Sequence, residues 1–337
     1  MSLLIPLLVA VFLAMNMGGS GTAPSFSVAY GARIIKRDSI PFLFGVFVLL
    51  GAILAGEKVI KTIGGSVLPA EHMNIAVVTI VLLASALSIF AANLLKVPQS
   101  TSQSTIFALV GCALPLNVLE SGKLLYEMVP TWLIMPVISF VLAYVLGAVF
   151  LKARDKFVQK DFKVTKSNKH WKYITIACSC YVAFSIGSNN VANSAGPIAS
   201  LVVNEMGFTG GGTIIMLLAI MVVAPWFGIG SAIMGSGVTK TIGDEIVNIG
   251  LLGATFISII TASLLLLAST TRGIPTSLVQ MNTFAVIALA MLKEGPRSIL
   301  TRLSVAKLFI VWIVAPLIAM AIAYLLTVMA INIGLLG

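Results

Sequence analysis

Ser185-Ile186-Gly187-Ser188-Asn189-Asn190-Val191-Ala192-Asn193-Ser194-Ala195-Gly196-Pro197 is the stretch that decides how this chain reads. Three asparagines, three serines and two glycines follow directly on an apolar run. Its plainest reading is a connecting loop between two helices. In a largely hydrocarbon chain, however, amides and glycines at membrane depth are costly unless they line a cavity and meet something polar.

The rest of the chain is indeed hydrocarbon. Of 337 residues, 59% are hydrophobic and 9% charged, where soluble domains carry about 25% charge. Long apolar runs joined by short polar links predict an all-α integral membrane protein, since barrel strands alternate over far shorter segments. The first run, Leu3 to Met17, has no basic flank before it and reads as part of a span, not as a cleaved leader. The net charge of +10 does not point to nucleic acid. Eight of the 21 basic residues fall between Lys152 and Lys172, beside membrane spans, which is the positive-inside signature of a cytoplasmic loop. Cys112, Cys178 and Cys180 lie in apolar segments without histidine or acidic neighbours, so neither a metal site nor a disulfide framework is expected, and no cofactor.

Apolar runs fall at about 3–32, 40–56, 73–95, 97–115 and 130–151, and again at about 172–204, 210–236, 247–269, 274–292 and 308–331. The first and sixth exceed the roughly 20 residues of a simple span and carry glycine and small polar residues, so they are expected to be broken or re-entrant helices. The two halves repeat each other. Lys61-Thr62-Ile63-Gly64 recurs as Lys240-Thr241-Ile242-Gly243. Trp132, Pro136 and Tyr144 recur as Trp312, Pro316 and Tyr324. Pro98, Ser100, Gln103 and Phe107 recur as Pro275, Ser277, Gln280 and Phe284. The reading is a first repeat at 1–151, a basic linker at 152–172 and a second repeat at 173–337. Five segments per repeat is an odd number, so the copies point in opposite directions. With the linker inside, Arg33, Lys36, Arg37, Lys293, Arg297, Arg302 and Lys307 also fall inside, and both termini fall outside. Inverted repeats with interrupted helices that meet near the midplane are a secondary-transporter architecture.

Four polar stretches pair up across the halves. Gly18 to Ser25 corresponds to Gly187 to Ser194, and Pro98 to Thr105 corresponds to Pro275 to Asn282. The second pair places proline and hydroxyls at the start of an apolar run, the form of a helix N-terminus, where free N–H groups and the dipole favour an anion. One such serine is explained as an N-cap alone. Four stretches in symmetric pairs point to a shared site. Because every acidic and basic residue lies in or beside a link, that site must be neutral, built from hydroxyls, amides and backbone N–H groups. It also lacks the intramembrane carboxylate of many proton relays. His72 and His170 fall in links and read as surface residues.

On these motifs the chain resembles the inorganic phosphate transporter superfamily, in the branch of sulfate permeases. The family repeats Gly-x-Asn-Asp-x-x-Asn in each half, and Gly187-Ser188-Asn189-Asn190-Val191-Ala192-Asn193 is similar to it. The family's proline-led Ser-Thr-Thr-His stretch resembles Pro98-Gln99-Ser100-Thr101-Ser102-Gln103 and, more weakly, Pro275-Thr276-Ser277-Leu278-Val279-Gln280. The resemblance implies a permease holding a tetrahedral anion between its halves, in a homodimer in the cell membrane. The departures are specific. Asn190 and Gly21 stand where the family has aspartate, Ser20 and Pro24 replace asparagines, and Gln103 and Gln280 replace histidines. Loss of the aspartates makes a sodium site of the family type doubtful.

Phosphate near neutral pH keeps a proton and gains from an acceptor, whereas sulfate wants donors only. Sulfate is therefore the expected substrate, ahead of phosphate and of oxyanions such as thiosulfate or molybdate. Proton symport is the expected coupling, ahead of sodium, although no proton carrier stands out. The expected anion contacts are Ser100, Thr101 and Ser102 with Ser277 from the partner helix, then Asn189, Asn190 and Asn193, with Ser20, Gly21 and Thr22 opposite. Gln103, Gln280 and Ser25 are expected to orient or gate these groups. An anion channel is the rival. An intramembrane enzyme is disfavoured, because no His, Cys or Asp accompanies the motif serines.

Overall fold

A hydrocarbon solvent offers the backbone no hydrogen-bond partner, so long apolar runs must satisfy themselves as helices. In the computed structural model they do. It describes residues 3–95, 99–157, 169–207, 212–246, 251–300 and 303–336, and no strand occurs among them. The first half comprises α1 (Leu4–Gly31), α2 (Ile40–Ala55), α3 (Glu57–Gly65), α4 (Ile75–Leu94), α5 (Thr101–Leu116) and α6 (Val129–Phe157), the last entered through a π-helical turn at Leu124–Met128. The second comprises α7 (Lys169–Asn190), α8 (Ala192–Met206), α9 (Gly212–Val223), α10 (Pro225–Ile246), α11 (Leu251–Thr271), α12 (Leu278–Glu294), α13 (Pro296–Leu300) and α14 (Leu303–Asn332). Among the described residues, seven helical segments are long and apolar enough to cross a membrane. The helices α5 and α12 are not. Sixteen and seventeen residues make about 25 Å at 1.5 Å each, short of a core of about 30 Å.

Burial sorts these helices by role. Leu133, Ile134, Val137 and Val141 on α6, and Ile310, Ile313 and Leu317 on α14, are exposed and apolar, as a lipid-facing surface must be. In contrast, α5 is buried along nearly its whole length, from Thr101 to Ala113. The chain exchanges partners between its halves. The helix α1 packs chiefly on α10 and α2 on α7, while α5 packs on α14 and α12 on α6.

Glycine makes the first two of these crossings possible. A Cβ at Gly18 would fall on the Phe227 carbonyl oxygen, and one at Gly230 on that of Met15. The second crossing repeats the first: Gly187 meets the Val48 carbonyl and Gly51 that of Phe184. Backbones this close lock helices together where lipid supplies no hydrophobic drive between them. The aromatic pairs repeat too, with ring centroids 6.2 Å apart in both Phe107–Trp132 and Phe284–Trp312.

Several expectations need correction. The first run is not broken: α1 is one 28-residue helix that passes through Gly18–Ser25. Its polar groups turn back onto their own helix, Ser20 Oγ donating to Met17 O (3.1 Å), Thr22 Oγ1 to Gly18 O (2.7 Å) and Ser25 Oγ to Gly21 O (2.9 Å). The sixth run does break, between α7 and α8 at Val191, and the expected seventh breaks at Ala224, where Pro225 opens α10. The basic linker is partly helical, since α6 continues to Phe157 and α7 begins at Lys169, while 158–168 lie outside the described residues. Val97 and Pro98 lie outside them as well.

At the centre, Gln103 and Gln280 hold each other in a closed pair of amide hydrogen bonds, Nε2 to Oε1 at 3.1 Å in one direction and 2.9 Å in the other. These are counterpart residues of α5 and α12, and they tie the first turns of the two helices together.

Two consequences are measurable. Gly51→Ala drives a methyl into the Phe184 carbonyl and should cost about 1–3 kcal/mol or more, lowering the melting temperature in detergent by several degrees. Gly122→Ala, with nothing near its Cβ, should leave it unchanged, and equal melting of the two variants would refute the crossing. Gln103→Leu or Gln280→Leu alone strands a buried amide, at about 1–3 kcal/mol each. The double variant should lose less than the sum of the two, and plain additivity would argue against the pairing.

Candidate binding site

Two helices start inside the bundle, and that fact builds the site. Ser100 sits at φ −85°, ψ 107°, and its Oγ accepts the Gln103 N–H at 3.3 Å. Ser277 does the same at φ −102°, ψ 103°, accepting the Gln280 N–H at 3.2 Å. Each serine is therefore an N-cap, which satisfies one free donor of its helix. The N–H groups of Thr101 and Ser102, and of Leu278 and Val279, still have no acceptor within their helices.

A fixed strap delivers the second helix start. Gly273 turns the chain at φ +64°, close against the Lys58 carbonyl, where a side chain would be both strained and blocked. Lys58 Nζ donates to Thr271 O at 3.1 Å, and Trp132 Nε1 donates to Pro275 O at 2.7 Å. On α6, Ser139 Oγ donates to Met281 O at 2.9 Å.

The cavity between these starts is lined by Ser20, Gly21 and Pro24 of α1, by Ile186 and Asn190 of α7, by Gln99, Ser100 and Thr101, and by Thr276 to Val279. No ionisable side chain lines it. Its volume is ≈ 20 Å³, room for little more than one water. What the walls offer is neutral: hydroxyls, amides and the positive ends of two helix dipoles.

Of the residues anticipated as contacts, the structure brings Ser20, Gly21, Ser100, Thr101, Asn190 and Ser277 to this cavity. Behind the wall lies a brace. The Asn189 amide, turned as the fixed backbone groups of Thr276 require, donates to Thr276 O (3.1 Å) and Ser102 Oγ (3.0 Å) and accepts from Thr276 N (3.3 Å) and Ser269 Oγ (2.9 Å). Asn193 Nδ2 lies 3.5 Å from both Met17 Sδ and Ser102 Oγ. Thr22 and Ser25 are held by their own helix, and Gln103 and Gln280 by each other, so none of these lines the cavity. Among the described residues, no group of three or more His, Cys, Asp or Glu side chains is placed to hold a metal ion.

Sequence reasoning passed over Gln99 and Thr276 as contacts. Both occupy the slot between a proline and an N-cap serine, so a signal was present in the paired stretches. It was hidden because neither residue belongs to the capping pattern that drew attention there.

The chain is 32% identical over 323 residues to a sulfate permease, CysP, of Bacillus subtilis, covering 95% of this chain and 86% of that one. It is 25% identical over 327 residues to a putative phosphate permease of Methanocaldococcus jannaschii, covering 96% and 97% respectively. Its fold matches that of a sodium-dependent phosphate transporter with a TM-score of 0.80 at 20% identity, over 98% of this chain and 99% of the other. Residues 17–323 match the phosphate transporter family. The chain belongs to that family.

Proposed function

We propose that this permease carries sulfate, by proton symport and alternating access across the cell membrane. The observation that carries the substrate is the charge-free cavity between two capped helix starts. A dianion gains there from oriented N–H and hydroxyl donors and meets no carboxylate. Asn190 lines that cavity at the position where the family resemblance expects aspartate. An amide donates to an oxyanion, while a carboxylate repels it unless the ion brings its own proton. The identity to a sulfate permease supports the same reading.

Phosphate is the second reading. Several relatives are named as putative phosphate permeases, and the amide oxygens of Asn190 and Gln99 at the wall offer acceptors to a protonated oxyanion.

The transport cycle proposed here uses two inverted repeats, 1–151 and 173–337, joined by a cytoplasmic 152–172 segment, with both termini outside and two copies forming a dimer. Support for the repeats comes from matched pairs: two glycine crossings of one form, two aromatic pairs of one spacing, and counterpart glutamines that bond each other. A residue bonded to its own counterpart lies on a pseudo-two-fold axis. Access to the cavity would then alternate as one repeat rocks against the other.

Uptake by purified protein in liposomes tests this directly. An inward proton gradient should drive labelled sulfate in, with unlabelled sulfate competing and equimolar phosphate failing to compete. Asn190→Asp should raise the KM for sulfate on the order of tenfold or more, because a carboxylate then faces a dianion. Accumulation of phosphate in the presence of excess sulfate would contradict the assignment, and an unchanged sulfate KM in the variant would remove Asn190 from the contact set.

A further inference from the structure

Seven of the described residues carry a buried polar side-chain atom without a hydrogen-bond partner, and of these only Gln99 and Thr276 border the cavity. Gln99 is 5% exposed, yet neither Nε2 nor Oε1 of its amide has a hydrogen-bond partner. Thr276 is 2% exposed, and its Oγ1 is equally unpartnered. Most buried polar side chains in native proteins find a partner, and one that does not is expensive to keep. Both side chains border the same cavity. They also share a register, since each is the residue immediately before the N-cap serine of a buried helix, Ser100 for α5 and Ser277 for α12.

Neither fold nor capping needs them. The caps are made by the serines, the helix starts are tied by Gln103 and Gln280, and the strap is held by Trp132 and by the Asn189 amide through the Thr276 backbone rather than its hydroxyl. What remains for the two side chains is the space they border.

We infer that Gln99 and Thr276 are two further substrate contacts, and that they set which protonation state of a tetrahedral oxyanion this site accepts. The inference rests on the anion-permease reading of the cavity. Gln99 Nε2 and Thr276 Oγ1 add donors from the two sides to those of Ser100, Ser277 and the helix starts. A fully deprotonated ion uses such donors without penalty. A carboxylate in the Gln99 position would turn one donor into an acceptor and favour an ion that carries a proton.

Three variants test this in the full-length protein: Gln99→Glu, which swaps donor for acceptor at constant shape, Gln99→Met, which removes both, and Thr276→Val, which removes the hydroxyl. Two readouts are taken on each. One is the KM and maximal rate of sulfate and phosphate uptake in liposomes. The other is the rise in melting temperature on titrating sulfate, selenate or phosphate into detergent-solubilised protein. The expected result is a sulfate KM raised about tenfold or more in every variant with the maximal rate within about twofold. Gln99→Glu should be the most affected, its sulfate-to-phosphate preference moving about tenfold toward phosphate. Sulfate-induced stabilisation should weaken in parallel. Wild-type KM and selectivity in all three variants would overturn the inference. So would losses confined to unliganded melting temperature and maximal rate, which is what a purely structural role produces. If wild type shows oxyanion-induced stabilisation that the variants lose, yet no uptake, the contacts stand and the transport reading falls. If wild type shows neither, both fall.

Discussion

Two helices begin in the interior of this bundle, and every other feature of the site follows from that constraint. A helix start leaves backbone N–H groups without acceptors, and in a hydrocarbon solvent no water supplies them. Serine caps at Ser100 and Ser277 answer one donor each, and both helix starts border a small cavity lined without a single ionisable group. Such a cavity suits an anion that comes and goes, because dipoles hold charge without the deep well that a buried arginine or lysine would make.

Rigid surroundings keep those dipoles aimed. The crossings of α1 with α10 and of α2 with α7 bring backbone against backbone at Gly18, Gly230, Gly51 and Gly187, and both occur between the two halves of the chain. Asn190 thus projects into the cavity from a helix locked to α2, while Ser20 and Gly21 face it from a helix locked to α10. Thr276 is held from behind by Asn189, which bonds both its N–H and its carbonyl.

Much of this was readable from residues alone. Long uncharged runs gave the helical membrane fold, and the paired proline–serine stretches gave both buried helix starts. Two matters were not readable. Gly18 to Ser25 looked like a break because it concentrates glycine, hydroxyls and Pro24, whereas its hydroxyls return to carbonyls of their own turn, Gly18 admits the Phe227 backbone, and Gly19 and Gly21 pack against the side chains of Met234 and Phe44. Sequence shows the small residues but not whether they loosen a helix or let another one approach. Likewise, the three asparagines Asn189, Asn190 and Asn193 looked equivalent. Helical geometry separates them, leaving Asn190 on the cavity, Asn189 as a brace and Asn193 packed beside Met17.

In the proposed binding mode a tetrahedral oxyanion sits between the starts of α5 and α12 without any charged partner. Crystals of the protein grown with selenate, a heavy analogue of sulfate, would test it through the anomalous signal of selenium, using protein with ordinary methionine. One strong peak is expected within hydrogen-bonding distance of Ser100, Thr101 and Ser277, with Asn190 beside it. A peak held elsewhere by lysine or arginine, with the cavity between the helix starts empty, would contradict it.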